Sequence, residues 1–188
     1  MSDAPLPAIA GAHRLIVVVG PSGAGKDSLL RGWRAAPDAP VLAQRVITRA
    51  PEESEAHEAV SPGDFAGMRS RGLLATWWQA HGLDYGVRRA QLEPLAGGRW
   101  IVLNGSRAHL PALRAQAPGL RVVAVSAPAH VLASRLAARG REDAAARAAR
   151  LAREPAPPVD ADFVLSNDGE LRHGVDALLQ WWRSVRET

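Results

Sequence analysis

Short apolar runs punctuate this chain: Ile16–Val19, Val41–Val46, Arg99–Leu103, Leu120–Ser126 and Asp162–Ser166. A brief apolar run with little polar alternation reads as a strand buried on both faces, the habit of parallel sheets. Between the runs, apolar residues recur at helical spacing, as at Leu29, Leu30 and Trp33 and again at Leu178, Leu179, Trp181 and Trp182. Ser61, Pro62 and Asp64 spell a helix start, and Pro128 another. One region breaks the pattern. Leu73–Trp78 is apolar and aromatic without clean alternation, and Gly82–Val87 sets Tyr85 between glycines, so the two are predicted to pair as a small antiparallel insertion. The predicted fold is α/β, a five-stranded, mostly parallel sheet flanked by helices. Its core spans 14–47 and 98–188, with the insertion at about 48–97. At 188 residues the chain fits one such domain rather than two.

The first strand runs into GPSGAGKDS, Gly20–Ser28. Gly20, Gly23 and Gly25 let the backbone turn tightly with its N–H groups inward, and the helix opening at Lys26 aims the positive end of its dipole into the turn. Strand, glycine loop, lysine and helix together make a phosphate-binding P-loop. Composition sharpens this: of 23 Lys and Arg residues only Lys26 is lysine. A chain that otherwise uses arginine keeps a compact ammonium where one must reach between β- and γ-phosphates. Asp27 stands where most P-loops carry Ser or Thr. A carboxylate about 4 Å from a phosphate oxygen is repelled by about 4 kcal/mol at an effective dielectric of about 20, against about 0.3–1 kcal/mol gained at a helix N-terminus. A cation between them removes the conflict. Asp27 with Ser28 is therefore a candidate Mg²⁺ site, the alternative being that Asp27 turns away to cap the helix.

The chain has no cysteine, which excludes disulfides and thiolate metal sites and fits a reducing cytoplasm. No basic and apolar leader opens it and no apolar run approaches a membrane span, so a cytoplasmic protein without a membrane partner is expected. The net charge of +4 and pI near 10.8 reflect the dominance of arginine. Between Arg135 and Arg153, six arginines face two acids, Glu142 and Asp143. A small polyanion accounts for that cluster as well as nucleic acid does, and no nucleic-acid partner is expected. The cluster reads either as a solvated helical hairpin or as a lid at about 138–153 that closes on phosphates.

Polar residues gather at the C-terminal ends of the other strands, where open α/β sheets bind ligands. Arg49, after the second strand, is a candidate for a further phosphate. His57 lies among the acids of the following loop, just before the helix start. Asn104 and Ser106 follow the third strand, Ser106 being placed either to cap the next helix or to meet a ligand. His81 is either a cleft or a turn residue, and Trp77 and Trp78 read as packing residues.

GPSGAGK, then Thr48–Arg49, DYGV at Asp84–Val87, RLAARGRED from Arg135 and SND at Ser166–Asp168 follow the order and spacing of the guanylate kinase superfamily, which the chain resembles over nearly its whole length. It departs where that superfamily reads guanine: Thr76 replaces an expected glutamate, Asn104 an expected acid, and Glu52 the second arginine of a TRxPR run. The stretches GPSGAGKDS, VITR, WQAHGLDYG (Trp78–Gly86) and VLNGSRAHLP (Val102–Pro111) are similar to the ribose 1,5-bisphosphate phosphokinases of phosphonate catabolism.

That resemblance implies a single guanylate kinase-like domain over 1–188, with the P-loop NTPase fold. It implies transfer of the ATP γ-phosphoryl group to ribose 1,5-bisphosphate; the alternative is a nucleoside monophosphate kinase of altered base choice. ATP would be held by Gly20, Pro21, Ser22, Gly23, Ala24, Gly25, Lys26, Asp27, Ser28, Arg135 and Asn167, and Mg²⁺ by Asp27 and Ser28. Lys26, Arg139 and Arg150 would be catalytic. The acceptor, a small phosphorylated sugar, would meet Arg49, His57, Tyr85, Asn104 and Ser106, in a monomer or homodimer.

Overall fold

The computed structural model of the chain describes residues 6–50, 57–138 and 159–187. Five strands form one sheet: β1 (Leu15–Val19), β2 (Val41–Leu42), β7 (Ile101–Asn104), β8 (Arg121–Ser126) and β9 (Phe163–Ser166), in the order β2-β7-β1-β8-β9. The outer pairs, β2 with β7 and β8 with β9, run parallel. Every residue of β1 and β7 is buried, as their unbroken apolar runs require. A second sheet holds β3 (Arg45–Ile47), β4 (Glu58–Ala59), β5 (Leu74–Ala80) and β6 (Leu83–Arg88), in the order β4-β3-β6-β5. The five-stranded α/β fold expected from the sequence is therefore present, with one correction. Val41–Val46 is not a single strand. Val41 and Ala43 donate to Trp100 and Val102, but the Gln44 N–H goes to the Gln91 side chain, and from Arg45 the chain pairs antiparallel with β6.

The described chain divides into two compact units. One contains the residues up to Val17 with Pro40–Arg121; the other contains Val18–Ala39 with those from Val122. In the first the leading helix is α2 (Pro62–Ser70), α1 (Lys26–Arg34) lying in the second: Ser61 caps α2, its Oγ accepting from the Asp64 N–H at 3.0 Å. Phe65 and Met68 of α2 bury themselves with Val46 and Leu74, and Trp77 packs against the cluster under the guanidinium of Arg69. Leu74 and Trp77 are three apart and would face opposite sides of a regular strand. A β-bulge between Leu74 and Thr76 brings them to one side and turns Thr76 and Trp78 to the other. His81 and Gly82, both at positive φ, form the two-residue turn into β6, so His81 is a turn residue.

In the second unit, α1 (Lys26–Arg34) packs on the last helix, α6 (Leu171–Arg186). Trp33, 1% exposed, meets Trp181 and Trp182 edge to face at 6.5 and 6.1 Å, a contact worth about 2–3 kcal/mol in burial with about 1 kcal/mol more from ring geometry. Trp182 Nε1 donates to the Asp38 carbonyl at 3.0 Å, tying α6 to the end of this segment. The remaining described helices are α3 (Arg89–Leu92), α4 (Leu110–Gln116) and α5 (Ala129–Ala138).

Candidate active site

The glycine loop leaves β1 at Gly20, where a Cβ would come within 2.1 Å of the Val125 carbonyl of β8. The loop therefore lies flat on that strand end, a position only glycine can occupy. At Gly25 the backbone turns with φ +84° into α1, and the Gly25 carbonyl accepts from Leu29 N at 3.0 Å. Lys26 Nζ folds back to donate to the carbonyls of Gly20 (2.8 Å) and Pro21 (2.9 Å), so its ammonium is held across the loop. Pro21, Gly23 and Ala24 are buried, Ser22 is exposed, and Asp27 and Ser28 are half-buried in the first turn of α1.

Two expected nucleotide residues meet this loop. Asn167, 4% exposed, donates from Nδ2 to the Ala24 carbonyl at 2.7 Å. Arg135 of α5 places its Nη1 3.6 Å from where a Gly25 Cβ would stand, buried and without a hydrogen-bond partner among the described residues. A desolvated guanidinium N–H beside a glycine loop is poised for an anion. Arg139 and Arg150, and most of the predicted lid at 138–153, lie outside the described residues.

The expected acceptor residues belong to the other unit. Thr48 is locked to β6 by two bonds with Asp84, whose N–H donates to Thr48 Oγ1 at 2.9 Å and whose carbonyl accepts from Thr48 N at 3.1 Å. Arg49, next in line, is half-buried. His57 is buried, and its Nε2–H donates to the Arg49 carbonyl at 3.1 Å, so it holds the backbone that carries Arg49. The next residue, Glu58, takes a forked bond from Arg88; that hydrogen bond, more than charge alone, holds the Glu58 carboxyl below the usual range.

Tyr85 of β6 stacks on Trp78 of β5 at 5.5 Å, and Trp78 stacks in turn on His109 at 5.1 Å. Beneath this column lies a polar chain that fixes its own directions. Gln116 Nε2 donates to the Ala75 carbonyl (3.3 Å), so its Oε1 accepts from the Thr76 hydroxyl (3.0 Å), and Thr76 Oγ1 must then accept from His109 Nε2–H (2.7 Å). His109 thus carries its proton on Nε2, and burial pushes its pKa below the ordinary value, keeping the ring neutral. Thr76→Val should strand the His109 donor and the Gln116 acceptor. The expected loss is about 2–3 kcal/mol in urea unfolding, with Thr76→Ser keeping most of the stability.

Asn104 ends β7 buried, and Ser106 follows half-buried. Of the two roles open to Ser106, capping is not found. A turn delays α4 to Leu110, with His109 at the N-cap position and Pro111 in the first turn, and it is the Ser106 carbonyl that accepts from His109 N and Leu110 N. Thr76, Trp78, His109 and Gln116 were not among the residues singled out for binding. The signal was present in VLNGSRAHLP, where a histidine stands at the mouth of a helix.

Among the described residues no group of three or more His, Asp or Glu could hold a metal by itself, and no helix is long and apolar enough to cross a membrane. Asp27 and Ser28 offer hard oxygen donors, which suits a cation bound through one or two protein oxygens and substrate phosphates.

A buried strand, a glycine loop braced on its neighbour strand and a lysine folded over the loop define a P-loop phosphotransferase fold. The solved guanylate kinase of Anaplasma phagocytophilum shares that fold, with a TM-score of 0.64 at 19% identity, covering 98% of this chain and 89% of that one. The chain is 46% identical over 178 residues to the ribose 1,5-bisphosphate phosphokinase PhnN of Pseudomonas fluorescens, covering 89% of this chain and 94% of the relative. It is 48% identical over 177 residues to the protein of the same name from Laribacter hongkongensis, covering 91% of this chain but spanning only 43% of that longer relative. No family model matches. The chain belongs to the PhnN ribose 1,5-bisphosphate phosphokinase family.

Proposed function

We propose that the chain transfers the γ-phosphoryl group of ATP to ribose 1,5-bisphosphate, giving ADP and 5-phospho-α-D-ribose 1-diphosphate, the activity for which its relatives are named. The observation that supports this best is the loop from Gly20 to Lys26, with an ammonium held across it and a buried guanidinium N–H of Arg135 beside it that has no partner among the described residues. An ionised phosphate oxygen of the acceptor attacks the γ-phosphorus, and the bond from that phosphorus to the β–γ bridging oxygen breaks, the electron pair leaving with ADP. The nucleophile is already an anion, so no general base is needed. Positioning and charge stabilisation carry the rate. Lys26, the loop N–H groups and Arg135 would bind the ATP phosphates. Arg49, its backbone held by His57, would meet an acceptor phosphate, and Tyr85, Asn104 and Ser106 would line the sugar. Asp27 and Ser28 would hold Mg²⁺, which when bound offsets the phosphate charge that Asp27 alone would repel.

³¹P NMR of the protein with ATP, Mg²⁺ and ribose 1,5-bisphosphate, with GMP in a parallel tube, tests the reading. New diphosphate resonances of the ribosyl product are expected only in the first tube, and Asp27→Ala should raise the Mg²⁺ needed for half-maximal rate. Phosphorylation of GMP alone would overturn the acceptor assignment.

A further inference from the structure

Asn167 stands at the loop after β9 with both ends of its residue committed. Its backbone N–H donates to the Ser126 carbonyl at 2.7 Å, and its side-chain amide donates to the Ala24 carbonyl at the same distance. Its surroundings are shaped to hold it. A Cβ on Gly25 would lie 2.4 Å from Asn167 Nδ2, and one on Gly174 of α6 would lie 2.7 Å from Leu29 and 3.4 Å from Asn167 Oδ1. Two glycines thus make space for one buried amide.

A trans peptide points its C=O and the following N–H in opposite directions. With the Ala24 carbonyl turned onto Asn167, the Gly25 N–H must point away from it and from the interior that Asn167 occupies. The strand end beneath supplies the frame: Val125 of β8 carries Gly20 at one end of the loop, and Ser126, the next residue, carries Asn167, which reaches the other end.

We propose that Asn167 is a positioning residue for phosphate binding, fixing the Ala24–Gly25 peptide so that the Gly25 N–H is aimed at the nucleotide phosphates. This rests on the phosphotransferase reading above, but it assigns Asn167 to the loop rather than to the base of the nucleotide. A base contact is ill served by an amide that already spends one of its two N–H donors on Ala24 and is only 4% exposed.

Calorimetric titration of the wild-type protein, Asn167→Leu and Asn167→Ser with Mg·ATP, Mg·GTP and inorganic tripolyphosphate, alongside thermal melts, separates the possibilities. In Asn167→Leu, affinity for tripolyphosphate and ATP is expected to fall together by about tenfold or more, as for loss of one hydrogen bond to a charged group, and by the same factor for GTP. Asn167→Ser, which keeps a donor on a shorter arm, should recover part of the loss, and it serves as the test if the leucine variant does not fold. Weaker ATP binding with unchanged tripolyphosphate binding would mean that Asn167 reads the base, and would overturn the proposal. A lowered melting temperature with every affinity unchanged would overturn it too, by making the role purely structural. Wild-type protein that bound none of the three would refute the phosphotransferase reading along with it.

Discussion

Lys26→Met is expected to lower kcat by at least about 10³-fold, with only a small change in melting temperature. The side chain ends in a point charge whose position is set by two carbonyls of the loop, Gly20 and Pro21, and in the proposed reaction that charge meets the bridging phosphate oxygens. Removing one prepositioned donor from a site of developing charge costs about 10²–10³ in rate, and this donor carries a full charge. Lys26→Arg should fare little better. A planar guanidinium cannot bring one compact donor head to both carbonyls, and it is bulkier within a loop whose Pro21, Gly23 and Ala24 are buried. Initial rates of ADP release, measured beside thermal melts, check both variants; a lysine-free protein with near-normal kcat would remove the loop from the mechanism.

Gly20→Ala should be the most damaging substitution of a single methyl group in the described chain. The added carbon would stand 2.1 Å from the Val125 carbonyl oxygen, and both partners are backbone at the ends of buried strands, so neither can swing aside. We expect a loss of more than about 4 kcal/mol, seen as a collapse of the urea midpoint or as insoluble protein. Gly169→Ala is the matched control. Nothing lies within 4 Å of the Cβ it would add, and its effect should stay within about 1 kcal/mol, in either direction. Equal behaviour of the two variants would refute the close-approach account.

The parts of the fold legible in the sequence are those whose causes are local. β1 and its loop declare themselves because burial on both faces, the glycines and Lys26 are contiguous, and Ser61 caps α2 through a neighbour three residues on. What escaped was set by partners far along the chain. The break of Val41–Val46 into two sheets depends on Gln91 taking the Gln44 N–H. The tautomer of His109 depends on Thr76, 33 residues earlier, and its orientation on a stack with Trp78 that no local spacing announces. The poor alternation of Leu73–Trp78 was itself the trace of the bulge, since a strand that changes phase cannot alternate cleanly. Arg49 and His57 are linked by a ring nitrogen on a backbone oxygen, a contact that residue types alone do not specify.

The bulge between Leu74 and Thr76 also separates two jobs that a regular strand would have coupled. On one side, Leu74 and Trp77 serve a hydrophobic cluster that only has to stay apolar. On the other, Thr76 and Trp78 meet His109, a polar and aromatic face that can change residue by residue without loosening that cluster. Such a strand tolerates changes of letter but not of reading frame beyond the bulge: one residue inserted between Thr76 and Trp77 would exchange the faces of Trp77 and Trp78, taking the indole of Trp78 away from His109.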